Sequence, residues 1–326
     1  MYGVFMKSFK HGVSRIGRHG RVLVAAAAVA VLGACGGGTS QIEPFVPKRI
    51  ITFGDESSLI TAEGKKYTVN GLDTTTNLPN CGLNPIWVQT LASTYGLVFP
   101  QCNPDHLANP PGLMYATLGA KVADVASKID AHFSASFFNS KDMVTVYVGN
   151  NDIYELYAQF PAQGRESLIA EARTRGRALA EQVNRIANAG GRVLLSTLPD
   201  LGTTPFAQKE KNSKFDTDRA ALLSELSNAF NIAMRLNVIN DGRLIGLLLL
   251  DETTQVIFKY PTSFGYSNIT EGACLVAVAL ENCTTNTLLT GATIDTWLWA
   301  SDTLFGPAGQ SRLAELAQRR AANNPF

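Results

Sequence analysis

Arg49-Ile50-Ile51-Thr52-Phe53-Gly54-Asp55-Glu56-Ser57-Ser58 joins a strand-like run to a Gly-Asp turn. Arg49 to Phe53 is a short, mostly apolar run closed by Gly54, the pattern of a strand buried on both faces. Working outward, Met143 to Val148, Val193 to Leu198 and Leu244 to Leu250 repeat it, each bounded by Gly, Asp or Pro. Longer segments of helical period lie between them. Asn84-Pro85 opens one as cap residue and first-turn proline, and Gly96 closes it. Others run from about Lys121 to Phe137, from Glu166 to Ala189 before Gly190-Gly191, from Thr217 to Leu236, and from Ser311 to Arg320. In the fourth of these five helices Leu222, Leu226, Phe230 and Ala233 recur on one face, which should pack on the sheet. Strands alternating with helices predict an α/β fold, a parallel sheet covered on both sides, with ligands beyond the strand C-termini. Gly54-Asp55-Glu56-Ser57 follows the first strand, Gly149-Asn150-Asn151-Asp152 the second, and Ser301-Asp302-Thr303-Leu304-Phe305 precedes the last helix, so all three segments are expected at one sheet edge.

Residues 1–34 read as an address label rather than part of the fold. Lys7, Lys10, Arg15, Arg18 and Arg21 precede the apolar run Val22 to Leu32, and Leu32-Gly33-Ala34-Cys35 resembles a bacterial lipobox, which makes Cys35 the expected lipidated N-terminus. Residues 35–45 are then a tether containing Gly36-Gly37-Gly38, and 46–326 a single domain. Gly36 leaves no Asp after the cysteine to retain the protein at the inner membrane. The expectation is a lipid-anchored envelope protein of the outer membrane, facing the periplasm or the cell surface. Removing five Lys/Arg from a chain of net charge +1 leaves about −4, and no basic stripe for nucleic acid remains. Cys81, Cys102, Cys274 and Cys283 form an even set suited to an oxidising compartment. Three pairings are open, and short loop closure favours Cys81 with Cys102 and Cys274 with Cys283. No cysteine or histidine spacing suggests a metal, and no cofactor is expected.

The three segments resemble blocks one, three and five of the SGNH/GDSL hydrolases, serine esterases and lipases whose blocks read roughly FGDS, GxND and DxxH. The likeness continues in Pro85-Ile86-Trp87-Val88-Gln89-Thr90-Leu91-Ala92, in Tyr115-Ala116-Thr117-Leu118-Gly119-Ala120, where Met114 stands for the usual Asn, and in Leu198-Pro199-Asp200-Leu201-Gly202. Phe264-Gly265-Tyr266-Ser267-Asn268 with Cys274, and Pro307-Ala308-Gly309, are similar to the lipase/lecithinase branch. The resemblance implies a three-layer α/β/α sandwich with a flavodoxin-like parallel sheet of about five strands. It also implies that Gly119 and Asn151 are oxyanion donors, that Asp302 is the acid orienting the base, and that Asp55 fixes the first turn.

The reactive residues depart from that pattern: the nucleophilic Ser falls on Glu56 and the His on Phe305. A Ser hydroxyl needs a positioned base, and losing triad members costs orders of magnitude in rate. After residue 34 only His106 and His132 remain, both before the third block, and each reads as a surface or helix-face residue. Ser57 or Ser58 would enter the turn if Glu56 were an insertion, without restoring the base. Glu56 as a nucleophile would need a second acid, from Asp55, Asp152 or Asp302. Alternatively Glu56 accepts hydrogen bonds from Gly119 and Asn151 and fills the site with a satisfied carboxylate. The leading expectation is a catalytically degenerate envelope lipoprotein binding an acyl, glycan or protein ligand at the old cleft. A divergent esterase using Ser57 or Ser58, and a purely structural lipoprotein, are the alternatives. Trp87 is assigned to the core and Trp297 and Trp299 to packing.

Overall fold

A computed structural model describes residues 44–326. The leader 1–34, Cys35 and the tether up to residue 43 lie outside the described residues. Phe45, placed in the tether from sequence, packs its ring edge-on against Phe326 at 5.4 Å.

Strand β1 (Arg49–Gly54) is buried along nearly its whole length, as its mostly apolar run requires. It pairs in parallel with β2 (Gly112–Met114) on one side and β3 (Asp142–Tyr147) on the other. Strands β4 (Arg192–Ser196) and β5 (Ile245–Leu248) complete a five-stranded parallel sheet of order β2-β1-β3-β4-β5, the flavodoxin-like winding. The β1–β3 seam carries the Arg49–Asp142 ion pair at one end and, within it, Thr145 Oγ1 donating to Thr52 Oγ1 at 2.9 Å, so both buried hydroxyls are used.

Helices α1 (Trp87–Thr94), α2 (Val122–Ala135), α3 (Asn150–Ala158), α4 (Arg165–Asn188), α5 (Pro205–Ser213), α6 (Arg219–Asn237), α7 (Leu250–Lys259) and α8 (Pro307–Asn323) surround the sheet. α1 packs on α8, whereas α2, α3 and α6 gather around α4. Leu222, Leu226, Phe230 and Ala233 are all buried, so the stripe read on α6 faces inward. α4 and α6 approach closely where Gly176 meets Phe230: a Cβ on Gly176 would lie 2.3 Å from the Phe230 carbonyl oxygen, which excludes any other residue there. A short parallel pair, β6 (Asn268–Gly272) with β7 (Trp297–Trp299), leads into the last loop. The disulfides are Cys81–Cys102 and Cys274–Cys283.

Several elements differ from the sequence reading for identifiable reasons. α1 starts at Trp87, not at Pro85: Asn84 has a left-handed backbone (φ 47), its carbonyl accepts from Lys66 Nζ at 3.0 Å and its amide donates to Val69 O at 3.1 Å. Asn84 is therefore a loop anchor, and the helix cap falls to Ile86, whose N–H donates to Gln89 Oε1 at 3.0 Å. Lys66 itself is fully buried and donates to the carbonyls of Cys81, Leu83 and Asn84, so each ammonium proton has an acceptor. The run Leu244 to Leu250 is strand only to Leu248, because Leu250 opens α7, with Asp251 N–H donating to Thr197 Oγ1 at 3.1 Å. β2, α3, α5 and α7 have no counterpart in the sequence reading. α5 does carry a signal: Thr204 Oγ1 caps Ala207 N–H and Pro205 occupies the first turn.

Candidate functional site

β1, β3 and the segment after β2 end at the same edge and bring Glu56, Asn151 and Gly119 together, whereas the third expected segment, Ser301–Phe305, follows β7 and places Asp302 on Lys209 instead. Beyond Gly54, Asp55 Oδ1 accepts the Ser57 N–H at 2.9 Å and caps a single 3-10 turn, Glu56–Ser58. Asn150, opening α3, donates its amide to Asp55 Oδ2 at 3.3 Å and to the Tyr147 hydroxyl at 3.1 Å. Asp55 is fully buried; that burial, and then the charge of adjoining Glu56, push its carboxyl up to about 8.

Glu56 is directed outward onto the two surviving donors. Its Oε2 accepts the Gly119 N–H at 2.8 Å and the Asn151 amide at 3.1 Å, and its Oε1 lies 3.3 Å from the same amide nitrogen. Gly119 presents that N–H from a left-handed backbone (φ +70), a conformation glycine adopts without penalty. Asn151 Nδ2 is also held by Ala120 O at 3.2 Å, which fixes its direction. Two hydrogen-bond donors therefore converge on one oxygen, and that oxygen belongs to the protein.

The alternative in which Ser57 or Ser58 takes the elbow does not match this geometry. Both serines are buried behind Glu56: Ser58 Oγ accepts from Trp87 Nε1 at 3.1 Å, and Ser57 O accepts from Gln310 Nε2 at 3.3 Å. Trp87 is fully buried, and Trp297 and Trp299 are buried with it.

Asp302 faces no imidazole. Its carboxylate is held by Lys209 Nζ of α5 at 2.7 and 2.9 Å, and its backbone oxygen accepts the Phe206 N–H at 3.0 Å. Phe305 is buried and stacked on Trp299, with centroids 4.6 Å apart and planes 9° from parallel, while its carbonyl accepts from Thr68 Oγ1 at 3.0 Å. His106 lies in an exposed loop with φ 51, and His132 is buried in α2 against Phe53, Tyr115 and Phe138. Asp152 accepts the Val122 N–H at 3.0 Å; burial raises its carboxyl to about 6, against the pull of that bond and of Arg175. It braces the start of α2.

Sequence reasoning missed Lys209, Asn150, Gln310 and Tyr154. Tyr154 is the neighbour most informative about charge: its hydroxyl is buried without a hydrogen-bond partner, and burial first, then the charges of Glu56, Asp302 and Asp55, act to raise its pKa. Only Asn150, adjoining Asn151, had a local signal. Among the described residues no three His, Cys, Asp or Glu side chains cluster as metal ligands.

The family model described as GDSL-like Lipase/Acylhydrolase matches residues 50–242, more than half of the chain, and the chain belongs to that family. Solved structures to which the chain is similar include a lipolytic protein of the G-D-S-L family from Veillonella parvula DSM 2008, 11% identical, covering 84% of this chain and 95% of its own with a TM-score of 0.40. The lipase Lip_vut3 from a goat rumen metagenome is 11% identical over 85% of this chain and 99% of its own, TM-score 0.47. Axe2, an acetylxylan esterase from Geobacillus stearothermophilus, is 12% identical over 86% and 98%, TM-score 0.45. No curated protein matches.

Proposed function

We propose that this GDSL-family chain is catalytically silent toward esters and works as a binding protein of the bacterial envelope, anchored through lipid on Cys35. The observation that carries this reading is the seat of Glu56: its carboxylate fills the point at which Gly119 N–H and the Asn151 amide converge. An ester's developing oxyanion would need those donors, and no imidazole stands beside Asp302 to activate a hydroxyl. An acyl oxygen is accordingly the poorest ligand for the cleft. A glycan or protein surface that donates hydrogen bonds to the half-exposed Glu56 fits better.

The test has two arms. Residues 36–326 should show no turnover of p-nitrophenyl acetate or butyrate that depends on Ser57 or Ser58, judged against Ser57→Ala and Ser58→Ala. Glu56→Ala should gain binding of free butyrate, followed through the Gly119 and Asn151 amide resonances, which the unaltered protein lacks. Ser57-dependent turnover, or equal butyrate binding by both forms, would sink the reading. Radiolabelled palmitate incorporation that survives Cys35→Ala would remove the anchor.

A further inference from the structure

His132 lies in the last turns of α2 with no exposed surface, and it takes no part in the arrangement around Glu56. Its Nδ1 is 3.1 Å from the Tyr115 hydroxyl, while Nε2 is buried without a hydrogen-bond partner. Whichever tautomer is present, one ring nitrogen is unpaired, and adding a proton turns it into a buried, charged donor. The acceptors of the same neighbourhood already hold other donors, and only the Phe137 carbonyl keeps a lone pair to spare. Asp142 of β3 takes Arg49 Nε at 2.8 Å, Arg49 Nη2 at 2.7 Å, the Asn139 N–H at 2.8 Å and the Asn139 amide at 3.1 Å. The Phe137 carbonyl takes Arg49 Nη2 at 2.8 Å.

The charged and titratable groups facing the ring are therefore Tyr115 from the segment after β2, Arg49 from β1 and Asp142 from β3. α4 contributes Arg185, which is bound to Asp130 of α2 and lies over the Phe133 ring. Burial first, then Arg49, lower the imidazole below its ordinary range, with Asp142 and the Phe137 carbonyl opposing. The rest of the contact is apolar: Phe138 at 4.3 Å, Tyr115 at 5.5 Å and Phe53 at 6.3 Å between ring centres. The N-terminal end of the same helix follows directly on Gly119-Ala120-Lys121, the segment whose Gly119 N–H holds Glu56.

We propose that His132 is a proton-operated latch: one proton taken up by its imidazole unseats α2 from the sheet and loosens the hold of Gly119 on Glu56. The latch does not depend on whether the site binds a ligand or cleaves one. Linkage fixes the sign. A histidine whose folded pKa is depressed contributes its full stability above the unfolded value near 6.5, and that contribution is lost as pH falls through the folded value.

Amide exchange of the full-length protein, corrected for intrinsic rates, tests this between pH 7.5 and 4.5. Opening of residues 122–135 should increase about tenfold per pH unit on the acid side, the slope of one proton taken up on opening. His132→Phe keeps a ring among Phe53, Tyr115 and Phe138 and should flatten that slope while leaving α6 exchange unchanged. An identical slope in the variant would overturn the latch. Should the variant fail to fold, the Cε1–H resonance of His132 in the unaltered protein decides: titration below that of exposed His106 supports the latch, and titration at or above it overturns it.

Discussion

Replacing Glu56 by Gln keeps the shape of the side chain and removes its charge, and the consequence should change with pH. Glu56 accepts two donors, the Gly119 N–H at 2.8 Å and the Asn151 amide at 3.1 Å. Hydrogen bonds to a charged group contribute about 1.5–3 kcal/mol against about 0.5–1.5 kcal/mol for neutral ones. Two such exchanges on a half-exposed carboxylate cost about 1–2 kcal/mol. Opposing this is the buried Asp55 carboxyl, raised to about 8 by burial and then by the Glu56 charge. An acid whose folded pKa is raised contributes stability fully present below its unfolded value and lost as pH rises through the folded one. Asp55 therefore erodes stability between about pH 4 and pH 8, and Glu56→Gln makes that erosion shallower. At pH 6, where Asp55 keeps its proton, the variant should be less stable by about 1–2 kcal/mol in urea equilibrium unfolding. At pH 9.5, with Asp55 ionised beside the former Glu56, the deficit should shrink toward zero. A deficit that is constant or grows with pH would mean that the two carboxyl groups do not sense each other.

Lys66→Met should cost about 3 kcal/mol or more in the same assay, because it leaves the carbonyls of Cys81, Leu83 and Asn84 without their donor. Asp302→Asn should shift stability by less than about 1 kcal/mol, since its pairing with Lys209 is solvent-exposed on both sides; a larger loss would mark the pair as structural. Ser58→Ala should cost about 1–2 kcal/mol and alter Trp87 fluorescence, as the indole N–H loses its hydrogen-bond acceptor. Replacing both cysteines of Cys81–Cys102 by Ser should cost about 3 kcal/mol by the loop-entropy relation, and an unchanged stability would mean the loop is held by Lys66 alone.

Much of the site is legible in the sequence because each segment sits immediately after a strand whose burial the residues display. Arg49 to Phe53 and Met143 to Val148 are mostly apolar runs, and a parallel strand buried on both faces can only deliver its succeeding loop to the sheet's C-terminal edge. Thus Glu56 and Asn151 fall together on sequence grounds, whereas Gly119 joins them only through the family resemblance. β2 is illegible because three residues, Gly112–Met114, carry no periodicity of their own and are strand only by pairing with Ile50, Ile51 and Thr52. Asn84 misleads because Asn-Pro has the composition of a helix start, and only the buried Lys66 ammonium reveals that its carbonyl is needed elsewhere. Lys209 cannot be read beside Asp302, 93 residues away, because the pairing exists only once α5 is folded. The unpaired nitrogen of His132 is likewise a property of separate strands and loops meeting around one ring.

The proposed silence toward esters rests on Glu56 holding the elbow while Ser57 and Ser58 are buried behind it. Intact-mass analysis of residues 36–326 after incubation with a fluorophosphonate tests it most directly. The expected result is an unmodified mass at pH 7 and pH 9. A stoichiometric adduct that maps to Ser57 or Ser58 would contradict it.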